Sequence, residues 1–331
     1  MKIVIPGGTG QVGTMLARAF HRDGYDVVVF GRSLKPASAN PWRMVQWDPE
    51  ELDDWTEEID GADVVINLAG RSVNCRYNEK NRDEILRSRV ETTQAVGRAI
   101  AEAKRPPGVW LQASTATIYS HRYDAPNDET FGLIGGGEPD VPETWRFSID
   151  VARTWEKAFD EAPAPRTRKV KLRSAMTMSP DHGGVFETLL NLVRFGLGGT
   201  VGDGRQYVSW IHEIDFIRSV RWLIDREHLD GAVNLSSPNP LPYREFMAAL
   251  RREWGTPIGL PATKWMLEIG AFLLRTESEL VLKSRRVVPR RLLEDGFAFQ
   301  YPEWSGAAAE LCRRWRAERL QTRRAVPATA R

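Results

Sequence analysis

The sequence predicts an α/β protein built on a doubly wound parallel sheet, with a smaller, mostly helical C-terminal lid region. Two observations support this fold class. Short apolar stretches alternate with helical patterns through residues 1–176, which is typical of parallel strands covered on both faces. The first stretch also runs directly into three glycines and an amphipathic helix. We therefore predict a sheet domain over 1–176, a lid region over 177–320 and a flexible tail over 321–331.

Periodicity and turn residues place the elements in order along the chain. Six strands are expected, one before Gly7 and the others at 25–30, 43–47, 62–70, 108–113 and 169–175. Helices are expected at 11–22, 79–103, 143–161, 215–225, 243–254, 264–274 and 306–319. Because the carboxyl ends of parallel strands meet at one edge of the sheet, ligands are expected to bind there.

The glycines at Gly7, Gly10 and Gly13 follow a strand and open a helix. Such a turn needs glycine to reverse the chain, to let a diphosphate approach the backbone and to pack the helix on the strand. Glycine-rich turns also close ordinary hairpins, but this context favours a Rossmann-type dinucleotide site. We expect the intervening residues, which are Thr9, Gln11 and Val12, to contact the cofactor as well.

The end of the second strand indicates which dinucleotide is bound. An acidic residue there accepts hydrogen bonds from the ribose of NAD, but this strand ends in Arg32 and Ser33. A guanidinium and a hydroxyl suit a 2′-phosphate, so NADP(H) is the expected cofactor. The alternative is that Arg32 is a solvated loop residue. Asp48 is a candidate contact for the adenine amino group, or else a cap before Pro49.

Composition narrows the class of protein. The chain has 331 residues, of which 42% are hydrophobic and 27% charged, as in ordinary globular proteins. It has no apolar stretch long enough to span a membrane and no paired metal-ligand spacing among its cysteines and histidines, so we expect a cytoplasmic protein without a metal. Arginines are frequent after residue 283, but they are interleaved with apolar residues, so nucleic-acid binding is not expected.

Several segments resemble the extended short-chain dehydrogenase/reductase superfamily. They are the Gly7 to Gly13 turn, Asn67 to Gly70, Thr115 to Tyr119 and Trp210 to Asp215. More narrowly, the chain resembles uncharacterised epimerase-family proteins that carry a C-terminal domain of unknown function, here at about 255–305. That similarity lies in residues 88–93, 195–206, 210–212 and 286–299.

The resemblance implies a catalytic Ser or Thr, which is Thr115 here, and a Tyr with a Lys four residues later. A phenol of pKa about 10 becomes a useful base when a nearby cation favours its anion. No tyrosine in this sequence has that lysine, and Ser148 and Ala152 stand where the pair belongs. Tyr119 is a candidate substitute that could move the proton; its alternative is a packed aromatic with its hydroxyl satisfied.

Other candidates come from strand ends, the long helix and the lid. The resemblance places Leu68, Ala69 and Gly70 at the cofactor edge. Arg89 is a candidate donor to the cofactor, with Glu84 near it, although both could lie on a solvated helix face. Residues of a polar and aromatic lid segment are candidates for substrate binding, namely Arg205, Gln206, Trp210 and His212. A histidine next to isoleucines is more often a hydrogen-bonded packing residue.

These observations favour an NADP(H)-binding oxidoreductase or epimerase that acts on a carbonyl or hydroxyl substrate without the usual Tyr and Lys. The alternative is a non-catalytic NADP(H)-binding sensor or interaction protein. Substrate identity and oligomeric state stay open.

Overall fold

The computed structural model describes residues 1–33, 40–139, 141–261 and 283–325. The helix expected at 264–274 and residues 326–331 of the expected tail lie outside these ranges. The strands in chain order are β1 (Lys2–Pro6), β2 (Asp26–Gly31), β3 (Arg43–Gln46), β4 (Val64–Asn67), β5 (Val109–Thr115), β6 (Arg168–Ser174), β7 (Met176–Met178), β8 (Tyr207–Val208), β9 (Trp210–His212), β10 (Gly231–Leu235) and β11 (Leu241–Pro242).

The helices of the described part are α1 (Gln11–Arg22), α2 (Glu79–Glu102), α3 (Glu143–Glu161), α4 (Val185–Arg194), α5 (Glu213–Asp225), α6 (Tyr243–Trp254), α7 (Arg290–Glu294) and α8 (Trp304–Ala325). Helix α4 was not expected from the sequence. Helix α8 continues beyond the predicted end at residue 319 and includes the first residues of the predicted tail.

Seven strands form a parallel sheet in the order β10-β6-β5-β4-β1-β2-β3. Order reversal beside β1 makes the sheet doubly wound, which confirms the predicted fold class. The expected count of six strands is wrong, because β10 comes from the lid part of the chain and pairs with β6 at the edge. Its asparagine, Asn234, interrupts an otherwise apolar run and hides the strand pattern.

Two layers of helices cover the sheet. On one face α1 and α5 bury Leu16, Phe20 and Phe216 against the strands. On the other face α2 and α3 bury Ile100 and Phe159. Alternate strand residues supply both layers, so the strands read as continuous apolar runs. A second core joins α4, α6 and α8 in the C-terminal region.

Candidate dinucleotide and substrate site

The three glycines of the turn after β1 have different surroundings. Gly7 has a φ of +74°, and a Cβ there would lie 2.5 Å from the Cα of Ala69. A Cβ on Gly13 would lie 2.7 Å from the backbone carbonyl of Gly8. The nearest atom to a Cβ on Gly10 is 3.8 Å away, so this position is open. Gly7 and Gly13 are therefore required by packing, whereas Gly10 leaves its space to a ligand.

Helix α1 begins at this open position. Gly10 is its N-cap and makes no side-chain cap, and the first turn carries no acidic residue. The first N–H groups of α1, which include those of Gln11 and Val12, therefore suit an anionic group such as a diphosphate. The Gln11 Nε2 is buried and has no hydrogen-bond partner among the described residues. Thr9 packs beside Gly31 at the end of β2, where a Cβ on Gly31 would lie 2.7 Å from the Thr9 Cγ2.

A cavity of about 450 Å³ lies beyond β2 and β3, and Arg32, Gln46 and Asp48 contribute to its lining. The Arg32 carbonyl accepts a hydrogen bond from the Gln46 Nε2 at 3.3 Å, whereas its guanidinium has no ion-pair partner among the described residues. The Asp48 Oδ1 accepts the N–H of Glu50 at 3.0 Å, which is the cap contact foreseen as its alternative. Arg32 and Ser33 are both exposed. Within the described part of the chain, this cavity thus combines the unpaired Arg32 guanidinium with acceptor groups such as the Asp48 carboxylate.

The end of β4 lies against the glycine turn. The Leu68 N–H bonds to the carbonyl of Pro6 at 2.9 Å, and Ala69 contacts Gly7 as described above. Gly70 lies under the Arg89 side chain, and a Cβ there would be 3.1 Å from the Arg89 Cγ. The structure thus brings the predicted Leu68, Ala69 and Gly70 together with the predicted Arg89.

Arg89 is a partly buried cation at this edge. Its Nη1 donates to the Ile85 carbonyl at 2.9 Å, and its guanidinium lies 5.1 Å from the centre of the Trp155 ring. Burial lowers the pKa of Arg89 to about 10, against the opposing effect of Tyr77 and Cys75, so the side chain stays charged at neutral pH. No carboxylate among the described residues pairs with it. Such a cation can bind an anionic or polar part of a ligand.

Glu84, a candidate for the cofactor edge, pairs with a residue other than Arg89. Its carboxylate forms an ion pair with Arg71, whose Nη2 also donates to the Asn81 Oδ1 at 2.8 Å. The separation of five residues along α2 places Glu84 and Arg89 on different faces of the helix. Glu84 is therefore linked to the residue that follows Gly70, and its contact with the cofactor stays a prediction.

Thr115 ends β5 and is partly buried. Its Oγ1 accepts the N–H of Thr117 at 3.1 Å, which caps a short 3₁₀ turn over residues 116–118. No group in the described ranges accepts the Thr115 hydroxyl proton. Within the described ranges the hydroxyl therefore keeps its donor capacity.

The structure places Tyr119 among packed, hydrogen-bonded neighbours. The residue is 2% exposed. Its hydroxyl donates to the Asn234 Oδ1 at 3.0 Å and accepts from the Arg173 Nη1 at 2.9 Å. Burial raises the pKa of Tyr119 although Arg173 opposes the shift. These contacts match the packed alternative, a buried aromatic whose hydroxyl is satisfied, and a proton-transfer role for Tyr119 stays a prediction.

An apolar residue, Ala152, occupies the position at which the superfamily carries its lysine. Ala152 is fully buried in a cluster with Ala116, Ile118 and Tyr119. One turn further along α3, Glu156 accepts from the Arg173 Nη2 at 2.8 Å and from the Ser114 Oγ at 2.6 Å. This network fixes β5 and β6 to α3, while Ala152 makes the position of the superfamily's lysine apolar.

Most of the predicted substrate-binding residues of the lid are structural. Trp210 is fully buried, with its ring 5.0 Å from that of Trp304. His212 is also fully buried; its Nδ1 accepts the Ile214 N–H at 3.1 Å. Its Nε2 lies 3.0 Å from the Glu310 carboxylate. Both side chains are therefore enclosed by their own neighbours.

Gln206 is also buried, and its Nε2 donates to the Val201 carbonyl at 3.2 Å. Arg205 is exposed and lies 5.8 Å from the centre of the Tyr123 ring. Of the predicted lid set, Arg205 alone presents its charge to solvent.

The structure adds two cations that the sequence did not single out. The Lys283 Nζ donates to the Thr117 carbonyl at 2.8 Å, and the Arg285 Nε donates to the Thr117 Oγ1 at 3.2 Å. Both side chains are buried. Their sequence signal was slight, since they lie just before residues 286–299, which carried the family resemblance. They reach the β5 turn from more than 160 residues away.

Two negative findings apply to the described ranges. They contain no group of three or more His, Cys, Asp or Glu side chains placed to hold a metal ion. None of their helices combines the length and the apolar character that crossing a membrane requires.

Comparison with known proteins identifies two family models. Residues 3–136 match the NAD dependent epimerase/dehydratase family, and residues 262–311 match a domain of unknown function, DUF1731. The chain is 30% identical over 311 residues to the epimerase family protein YfhF of Bacillus subtilis, which covers 94% of this chain and 98% of that protein.

Solved structures agree in fold. The human epimerase family protein SDR39U1, solved with NADPH, is 28% identical and superposes with a TM-score of 0.80 over 95% of this chain and 99% of that one. A UDP-N-acetylglucosamine 4-epimerase from Bacillus cereus, at 17% identity and a TM-score of 0.69, shares the fold over 96% of this chain and 99% of its own. The chain belongs to the NAD dependent epimerase/dehydratase family and, within the short-chain dehydrogenase/reductase superfamily, is similar to the SDR39U1 proteins.

Proposed function

We propose that this protein is an NADP(H)-dependent oxidoreductase or epimerase that acts on a carbonyl or hydroxyl carbon. The observation that supports this proposal most directly is the glycine turn over residues 7–13 after β1, which we call the cradle. Gly7 and Gly13 are closed by packing, Gly10 is open, and the uncapped start of α1 faces the open position. This combination fits the diphosphate of a dinucleotide, because a backbone approach and free N–H groups coincide.

The preference for NADP(H) rests on Arg32. The guanidinium stands at the end of β2, where NAD-specific sites place a carboxylate, and no described side chain neutralises it. A 2′-phosphate would accept hydrogen bonds from it in two directions. The human relative solved with NADPH supports the same choice. Asp48 lines the same cavity and is suited to the adenine amino group.

Thr115 is the proposed catalytic residue. A bound nicotinamide would supply or accept the hydride, and the proton that the oxygen gains or loses would be exchanged with solvent water. Thr115 would donate its hydroxyl proton, as a hydrogen bond, to the oxygen of the reacting carbon, because its acceptor side already holds the Thr117 N–H. Arg89, beside Gly70, would bind the ribose or an anionic part of the substrate.

A second function is favoured by one specific observation. Ala152 fills the lysine position with an apolar methyl group, and the Tyr119 hydroxyl is bound by Arg173 and Asn234. A protein without an accessible phenol and lysine could use the cradle to sense NADP(H) without turnover. This sensor hypothesis shares the cofactor site and differs only in chemistry.

Calorimetric titration with NADPH and NADH tests the cofactor. Arg32→Ala should weaken NADPH binding at least tenfold, about 1.4 kcal/mol, and leave NADH binding within twofold. Arg22→Ala is the matched control, because that exposed arginine lies at the far end of α1. Equal losses for the two nucleotides would contradict the phosphate assignment, and no nucleotide binding by the wild type would refute the proposal altogether.

Single-turnover absorbance of bound NADPH with aldehydes, ketones and quinones tests the chemistry. Turnover that Thr115→Val abolishes and Thr115→Ser retains would support the enzyme. Tight NADPH binding without turnover across the panel would favour the sensor.

A further inference from the structure

Residues 283–288, which we name the strap, connect the C-terminal region to the β5 turn. The Arg285 N–H donates to the Tyr207 carbonyl at 2.8 Å. The Val288 N–H donates to the Asn127 carbonyl at 3.0 Å. The Ser209 Oγ donates to the Arg285 carbonyl at 2.6 Å. These hydrogen bonds hold the backbone of the strap in place, and they therefore fix the positions of the Cα atoms from which its side chains extend.

Two strap side chains converge on Thr117. Lys283, 2% exposed, donates from its Nζ to the Thr117 carbonyl at 2.8 Å. Arg285, 8% exposed, donates from its Nε to the Thr117 Oγ1 at 3.2 Å. The Thr117 N–H in turn donates to the Thr115 Oγ1 at 3.1 Å. All three polar groups of Thr117 are engaged, two by the strap and one by the proposed catalytic residue.

Fold stability alone does not explain why the two buried side chains, Lys283 and Arg285, are charged. Burying an ammonium and a guanidinium costs several kcal/mol per ion, and apolar residues often stabilise such a position equally well. The pKa of the nearby His121 is lowered, mainly by burial and also by the positive charges of Lys283 and Arg285. The carboxylate of Glu138 opposes this shift. Two fixed positive charges thus lie at the turn that presents Thr115.

We propose that Lys283 and Arg285 are positioning residues, which hold the turn over 115–117 so that the Thr115 hydroxyl donates to the substrate oxygen. The proposal rests on the catalytic role proposed for Thr115. The strap lies within residues 262–311, the segment that matches DUF1731. The proposal therefore assigns this part of the segment a function, which is to hold the turn that carries Thr115. Each cation acts through Thr117, and neither transfers a proton.

The consequence is a loss of rate without a loss of cofactor. A misplacement of about 1 Å at a reacting group can lower the rate about 100-fold. The hydrogen bonds described for the strap lead to Thr117, Asn127, Tyr207 and Ser209 and not to residues 7–13, so the NADPH dissociation constant should stay within twofold. We expect Lys283→Met and Arg285→Met each to lower kcat at least tenfold, with KM within twofold.

Three readouts on the full-length protein test this. They are calorimetry with NADPH, amide hydrogen exchange of the peptide over 112–120, and steady-state kinetics with whichever carbonyl compound the panel identifies. Lys283→Met and Arg285→Met should accelerate exchange at Thr117 at least tenfold, and Lys283→Arg should restore most of kcat. Arg286→Met is the matched control, because this strap arginine contacts Tyr123 and Tyr207 instead of Thr117.

Unchanged exchange at Thr117 in both methionine variants, or equal changes in Arg286→Met, would overturn the proposal. If the methionine variants fail to fold, Thr117→Val removes the Arg285 acceptor from the other side and should lower kcat by a similar factor. A wild-type protein without turnover would refute the proposed function, while exchange at Thr117 would still decide whether the strap holds the turn.

Discussion

The cradle after β1 makes a sharp prediction, because two of its glycines serve different purposes. Gly13→Ala should destabilise the fold, whereas Gly10→Ala should leave the fold intact and obstruct the dinucleotide. A Cβ on Gly13 would lie 2.7 Å from the backbone C and O atoms of Gly8, which cannot rotate away. A Cβ on Gly10 would have its nearest neighbour at 3.8 Å, an ordinary contact.

The magnitudes follow from these contacts. Overpacking against backbone costs about 3 kcal/mol, and the better helix propensity of alanine at Gly13 in α1 offsets about 1 kcal/mol. The free energy of unfolding should therefore fall by about 2 kcal/mol for Gly13→Ala. For Gly10→Ala, alanine at an N-cap costs only about 0.5 kcal/mol. The same methyl group should weaken NADPH binding at least tenfold, about 1.4 kcal/mol, by blocking the approach to the backbone.

Urea denaturation followed by tryptophan fluorescence measures the first quantity, and calorimetry with NADPH measures the second. A Gly13→Ala variant as stable as the wild type would show that the packing argument is wrong. Full NADPH affinity in Gly10→Ala would show that no ligand approaches at the open glycine.

Three further predictions concern buried groups. Burial alone would raise the pKa of Glu156, but the contacts with Arg173 and Ser114 lower it. The ionised carboxylate therefore stabilises the fold above its unfolded pKa, and this contribution is lost as the pH falls below about 4.5. Between pH 7 and pH 3, the free energy of unfolding should depend less on pH in Glu156→Gln than in the wild type. Tyr119→Phe should lower the free energy of unfolding by about 1–2 kcal/mol and leave NADPH turnover unchanged, so a loss of turnover would restore a catalytic role. Burial raises the pKa of Cys312 to about 12, so a thiol reagent should titrate one thiol, Cys75, in the native protein and two in urea; two rapid native thiols would contradict this.

Local sequence signals predicted the sheet and the cradle well. Helix α1 begins and ends where its periodicity and the glycine turn predicted, at Gln11 and Arg22, and α3 likewise spans Glu143–Glu161. These features depend on neighbours within a few residues, so one sequence contains them in full. Strand β10 was missed because Asn234 interrupts its short apolar run, so no clear local pattern marked it.

The candidate site was harder, because a strand end does not reveal which way a side chain points. Tyr119 follows β5 and His212 ends β9, and their polar atoms contact Arg173 and Glu310, which are 54 and 98 residues away. The sequence analysis placed Tyr119 near the ligand edge and His212 in the lid, whereas the structure buries both side chains. Glu84 pairs with Arg71, a contact that its position in the sequence did not indicate.

The usual Tyr and Lys lie four residues apart on one helix, so a sequence alone shows whether a chain has the pair. In this chain the cations around the ligand edge come from elsewhere: Arg89 projects from α2 over Gly70, and Lys283 and Arg285 reach Thr117 from the strap. The sheet domain alone therefore lacks two of these cations as well as its edge strand β10. Under the roles proposed for Thr115 and the strap, the turn over residues 115–117 is complete only once the C-terminal region has docked, so folding of that region and formation of the site should be a single event.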